Sequence, residues 1–178
     1  MRLSASLLPA ATLALLASTS GYATEYLTSE QARAALFPGA TFTATSLTLS
    51  PEQIKDVSQR SRVRLRNSRI QVWQASSGGW FFVDEVLGKH ELITYAVGLD
   101  DDGTVRGVEI LTYRESYGHE IRNPAWRAKF IGKTAASPLI LDQDIPNLTG
   151  ATLSSRHVME GVKRILAIHA LALAHQTG

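Results

Sequence analysis

The sequence has 178 residues, a formal net charge of +2 and no cysteine. Near-balanced charge excludes a nucleic-acid partner recruited by bulk basicity, and the missing thiols exclude disulfides, iron–sulfur clusters and cysteine nucleophiles. The length suits one domain with one real core.

Residues 1–23, MRLSASLLPAATLALLASTSGYA, have the layout of a secretory signal peptide. Arg2 supplies the positive start, Leu7 to Ala17 the apolar run, and Gly21-Tyr22-Ala23 the small residues that precede a cleavage site. A spanning helix needs about 20 apolar residues; this run is shorter and contains Pro9. Cleavage after Ala23 is therefore expected, leaving residues 24–178 as a single domain. A cysteine-free exported chain suits the bacterial periplasm.

Glu25 to Phe37 is predicted helical, with Thr28 and Gln31 at capping-box spacing and Pro38-Gly39 as the stop. Thr41 to Leu49 alternates polar and apolar residues as a strand does. Ser50-Pro51-Glu52-Gln53 opens a second, short helix to about Gln59, with proline at the first helical position. Next, Arg60, Arg62, Arg64 and Arg66 alternate with Ser61, Val63 and Leu65. If extended, this stretch lines four guanidinium groups along one face, either as a charge-protected edge strand or as a docking patch for an acidic partner or anionic headgroups.

From Arg69 the period becomes two. Ile70 to Trp73, Trp80 to Val86, Ile93 to Leu99 and Val105 to Tyr113 read as strands, with turns at Ser76-Ser77-Gly78-Gly79 and Asp100-Asp101-Asp102-Gly103. A short helix follows from Asn123-Pro124 through Phe130, stopped by Gly132. The last helix, capped by Ser154 or Ser155, runs to about His175, with Val158, Val162, Ile165, Leu166 and His169 on one stripe. The expected fold is α+β: a curved antiparallel sheet flanked by helices.

Thr149-Gly150-Ala151-Thr152 stands at the mouth of that last helix. Unpartnered N–H groups at a helix start carry partial positive charge and favour a phosphate. Gly150 and Ala151 leave the approach uncluttered. A hydroxyl there can bind a phosphate or carry one covalently; capping the helix is the commoner use of such residues.

Thr149-Gly150-Ala151-Thr152-Leu153-Ser154-Ser155 resembles the (Ser/Thr)-Gly-Ala-Thr-x-(Ser/Thr)-Ser motif of the FMN-binding domain family. That family includes periplasmic subunits of sodium-pumping NADH:quinone reductases and small exported flavoproteins. Gly88-Lys89-His90 through Gly107-Val108-Glu109-Ile110 is similar to the family's strand pair. Glu115 to Ile121, with Trp126, Phe130, Gly132 and Lys133, is similar to its ring-packing block. The resemblance covers roughly Gly88 to the C-terminus. Two positions depart from the family pattern. The aspartate that precedes the motif closely in the family has its nearest counterpart here in Asp144, further upstream, and Tyr117 stands in a proline's place.

The resemblance implies one FMN, esterified through its phosphate to Thr152 by a flavin transferase that uses FAD. It also implies that Thr149, Gly150, Ala151, Ser154 and Ser155 surround the phosphate, and that Glu115, Tyr117 and Gly118 line the ring. Lys133 is a candidate phosphate or ring-oxygen partner, and His119 is placed near the ring. The activity implied is electron transfer with a membrane-bound or periplasmic redox partner rather than independent catalysis. Two alternatives are a small self-contained flavin-dependent reductase and a flavin-free binding module on the same fold.

No catalytic or metal site is expected from the residues. His90, His119, His157, His169 and His175 share no ligand spacing with acidic residues, and nothing fixes Asp84, Glu85, Glu115 and Glu120 as a carboxylate pair. Trp126 reads first as a core anchor.

Overall fold

The computed structural model describes residues 24–174 other than 66 and 116. The expected signal peptide at residues 1–23, Arg66, Ser116 and His175 lie outside the described residues. In chain order the elements are β1 (Thr24–Glu25), α1 (Ser29–Leu36), β2 (Phe42–Thr48), α2 (Pro51–Ser61), β3 (Arg69–Ala75) and β4 (Trp80–Leu87). Then come β5 (Leu92–Leu99), β6 (Val105–Tyr113), the short α3 (Pro124–Arg127) and the long α4 (Thr152–Ala172). The architecture is α+β.

All strand pairs are antiparallel, in the order β1-β6-β5-β4-β3-β2. Strands β3 to β6 form a meander joined by tight turns, two of them at the expected positions, and β2 reaches its partner β3 through α2. Strand β1 was not foreseen; two residues are too few to show a period, and Thr24 and Glu25 pair with Tyr113 and Thr112.

Local chemistry sets the first two helices. Thr28 accepts from the Gln31 amide while the Gln31 side chain accepts from the Thr28 amide, a closed capping box. Ser50 and Gln53 repeat it at α2, with Pro51 inside the first turn. Helix α2 runs through Ser61, beyond the expected Gln59, and its Ser58 and Ser61 hydroxyls bond back to the Ile54 and Val57 carbonyls. This overturns the extended arginine strip. Arg60 lies in the last helical turn, and Arg62 sits in the left-handed region at φ 61°, so their side chains do not share a strand face.

The strand pleat sends alternate side chains to two cores. Trp80, Phe82, Tyr95, Val97 and Ile110 pack with Val158, Val162, Ile165 and Ile168 of α4 and Val57 of α2. Phe81, Ala96 and Leu111 face the opposite side with Ala32 and Phe37 of the α1 region. Gly98 and Gly107 lie beneath Phe37 and Leu36, where a Cβ would meet those side chains at 2.9 and 2.5 Å. Trp126 is buried, donates Nε1–H to the Pro146 carbonyl at 2.8 Å and meets Phe130 edge-on, so it is a core anchor.

Helix α4 is fixed to the sheet at two levels. His157 Nδ1 bonds the Leu87 carbonyl. Deeper, buried Arg164 donates to Asp84, which also accepts from the Tyr95 hydroxyl at 2.8 Å. Asp84 is thereby occupied, and no carboxylate pair arises with Glu85. Gly161 lets the tyrosine in: a Cβ there would stand 2.1 Å from the Tyr95 oxygen.

Candidate flavin cleft at the start of helix α4

Leu148-Thr149-Gly150-Ala151 is a turn closed by the Ala151 amide on the Leu148 carbonyl at 2.9 Å. Its third residue, Gly150, has φ 84°, the conformation that a type II turn requires and that glycine adopts without steric cost. A Cβ on Gly150 would meet nothing within 4 Å, so the turn faces open space.

The turn delivers the chain into α4 earlier than expected. The first helical residue is Thr152, the N-cap is Ala151, and no side chain caps the helix. The expected caps, Ser154 and Ser155, are instead buried inside it. Ser155 Oγ donates back to the Ala151 carbonyl at 2.9 Å, and Ser154 Oγ lies 3.3 Å from the Tyr113 hydroxyl. The Tyr117 carbonyl can only accept, so the Tyr113 proton goes to it and Ser154 donates to Tyr113. Burial pushes the Tyr113 phenol above its ordinary pKa, keeping that proton in place. Thr152 differs from both serines. It is exposed, and its hydroxyl makes no hydrogen bond among the described residues.

Thr152 opens on a cleft of about 570 Å³ lined by Gly150, Ala151, Leu153 and Ser154 on the helix side, and by Lys89, His90, Tyr113, Glu115 and Tyr117 opposite. That volume falls within the range of small-molecule sites, about 300–1,000 Å³. Glu115 shapes the far wall. Its carboxylate accepts from the His90 amide at 2.6 Å and the Glu91 amide at 3.1 Å, holding the β4–β5 turn so that Lys89 and His90 reach the cleft. Desolvation raises the Glu115 pKa, but the amides of His90, Glu91 and Lys89 outweigh it and hold the carboxyl below its usual value. Gly118, at φ 88°, seals the floor, where a Cβ would come within 2.5 Å of the Tyr113 oxygen and 2.8 Å of the Ala151 Cβ.

Of the ten residues singled out in the sequence, six line the cleft: Gly150, Ala151, Thr152, Ser154, Glu115 and Tyr117. Gly118 and Ser155 support it from beneath, and Thr149 is exposed on the turn. Lys133 is not among the lining residues. Its ammonium is held by Asp144 at 3.2 Å, because both groups sit in the connection that follows α3. His119 also stays outside the lining, stacked edge-on against Tyr113 at 5.4 Å. Tyr113, Lys89 and His90 were not singled out as site residues; only strand pairing brings them to the turn. Among the described residues, no cluster of His, Cys, Asp and Glu could hold a metal ion.

The donor set suits a flat aromatic ligand bearing a phosphate. Unpartnered amides begin α4, Lys89 adds a cationic group and His90 an imidazole, and Tyr113, Tyr117 and Leu153 give apolar contact. The comparisons agree with this chemistry. Residues 88–167 match the model of the FMN-binding domain, and the cofactor that this match indicates is FMN. The crystal structure of NqrC from Shewanella oneidensis shares the fold, with a TM-score of 0.51 and 16% identity over 72% of this chain and 79% of that one. No curated protein matches significantly.

Proposed function

We propose that the protein is an exported electron carrier whose FMN is joined through its phosphate to Thr152. The observation that carries the reading is the contrast among three neighbouring hydroxyls. Ser154 and Ser155 are buried and bonded, whereas Thr152 is exposed, unbonded and open to the cleft. A transferase supplied with FAD lets the Thr152 oxygen attack the phosphorus of the FMN half. The P–O bond to the adenylate breaks, AMP leaves, and the threonine proton passes to a base of the transferase. Helix-start amides then face the phosphodiester charge.

The bound flavin would supply one- and two-electron redox chemistry, while the chain positions it. The domain that matches the family model is also the part that builds the cleft. Among the described residues no helix is long and apolar enough to cross a membrane. The shared fold with NqrC supports a membrane redox complex as the partner.

The test is the intact mass of the exported protein co-produced with a flavin transferase, beside Thr152→Val. The wild type should gain the mass of one FMN less water and the variant should gain none, with unchanged circular dichroism. An unmodified wild type, or a variant that still carries the adduct, would refute the attachment.

A further inference from the structure

The non-glycine residues with positive φ among those described are Arg62 (61°), Leu139 (47°) and Asp142 (66°). Arg62 ends α2 while Leu139 and Asp142 share one later loop, yet all three line one groove of about 460 Å³ beside α4, together with Ile140, Leu141, Arg156, Met159, Glu160 and Lys163. Left-handed backbone at arginine and leucine is sterically costly, and such residues collect where a ligand must be clamped. A second hollow of about 270 Å³ shares Leu139 and Lys163 and extends the groove past Arg60 and Pro138.

The charges are as unusual as the backbone. Arg60 pairs with Asp56, but Arg62, Arg156 and Lys163 form no ion pair among the described residues. Burial and then the neighbouring Arg62 push the Lys163 ammonium below its ordinary pKa, although Glu160 and Asp144 oppose this. Asp144 is already engaged by Lys133. The three cations outnumber the two carboxylates of the same lining, Glu160 and Asp142, the latter taken up by the Asn147 amide; the floor between them is the apolar Leu139 and Met159, with Ile140 exposed at 42%.

We infer that this groove docks an extended acidic peptide segment of a protein partner, with carboxylates against Arg62, Arg156 and Lys163 and apolar side chains over Leu139, Ile140 and Met159. The elongated, partly apolar lining favours a peptide over a compact phosphate or a lipid headgroup, and charge complementarity sets its sign. Arg156 lies four residues, about 6 Å of helix rise, from Thr152. A docked partner would therefore stand beside the flavin cleft without occupying it.

The probe is a fluorescein-labelled peptide, Asp-Leu-Glu-Glu-Leu-Asp-Glu, followed by anisotropy at about 20 mM and about 200 mM salt. Binding should weaken with salt and fall by roughly tenfold in Arg156→Glu and in Arg62→Gly, but not in Lys55→Glu on the exposed side of α2. Glycine relieves the left-handed strain, so Arg62→Gly should melt at a higher temperature than the wild type while binding less; a merely structural arginine would not separate the two. Absence of binding at low salt, or equal loss in Lys55→Glu, overturns the proposal. So does displacement of the peptide by inorganic phosphate or by phosphatidylglycerol vesicles in an Arg62-dependent way. The assay reads no flavin, so Thr152→Val should bind the peptide normally even if the attachment at Thr152 fails its own test.

Discussion

Replacing Tyr113 by phenylalanine removes one oxygen and leaves two groups without it. The Tyr117 carbonyl loses its donor, and the Ser154 hydroxyl, buried beneath the cleft, loses its acceptor. The cost of stranding such groups is about 1–3 kcal/mol, so the urea midpoint of Tyr113→Phe should fall and its FMN occupancy should drop with it. An unchanged midpoint would mean that water replaces the phenol. Tyr113 also shows why the site was only half legible. The threonine, the glycine before it and the helix after it lie within a few residues, and their chemistry is local. Tyr113 is 41 residues from Ser154 and reaches it only because β6 runs next to β5 under α4. Lys133 shows the converse, since its ammonium lies outside the cleft lining. Likeness of sequence placed its backbone, but the ammonium goes where the nearest carboxylate stands, and that is Asp144.

At the scale of elements, α4 depends on the absence of a methyl group. A Cβ at Gly161 would fall 2.1 Å from the Tyr95 oxygen and 2.8 Å from its ring carbon. In an exposed helix, glycine-to-alanine is stabilising; here the tyrosine, fixed by Asp84, cannot withdraw. Gly161→Ala should therefore destabilise by about 1–3 kcal/mol, read as a lower denaturation midpoint with an unchanged slope. Helix starts were legible wherever capping was carried by side chains, as at Thr28 and Ser50. The start of α4 was missed by a few residues because it has no side-chain cap, and Ser154 and Ser155 mimic one. The arginine alternation misled for a related reason: period two in charged residues is satisfied equally by a helix end passing into a left-handed residue.

At the scale of the whole molecule, His169 is a buried titratable group that holds an unpartnered polar atom among the described residues. Its Nε2 has no hydrogen-bond partner, and the tip of the β5–β6 turn closes over it at Gly103. Burial holds its pKa below the ordinary 6.5, with Asp102 and Asp101 opposing. The unfolded chain therefore binds the proton more readily than the folded one. Stability is complete above about pH 6.5 and declines as pH falls toward the lowered folded value. Urea midpoints at pH 7.5 and pH 5.0 should differ in the wild type, and His169→Leu should narrow the difference; an equal difference in both would assign the pH dependence elsewhere.

The pairing of Thr24 with Tyr113 has a practical consequence. Tyr113 is a wall of the cleft, so anything fused ahead of Thr24 emerges close to the prospective cofactor. Ala172 ends the 21-residue α4, about 30 Å along its axis from Thr152. A surface tether for electrochemistry therefore belongs at the carboxyl end, where immobilisation leaves the redox face turned toward solution.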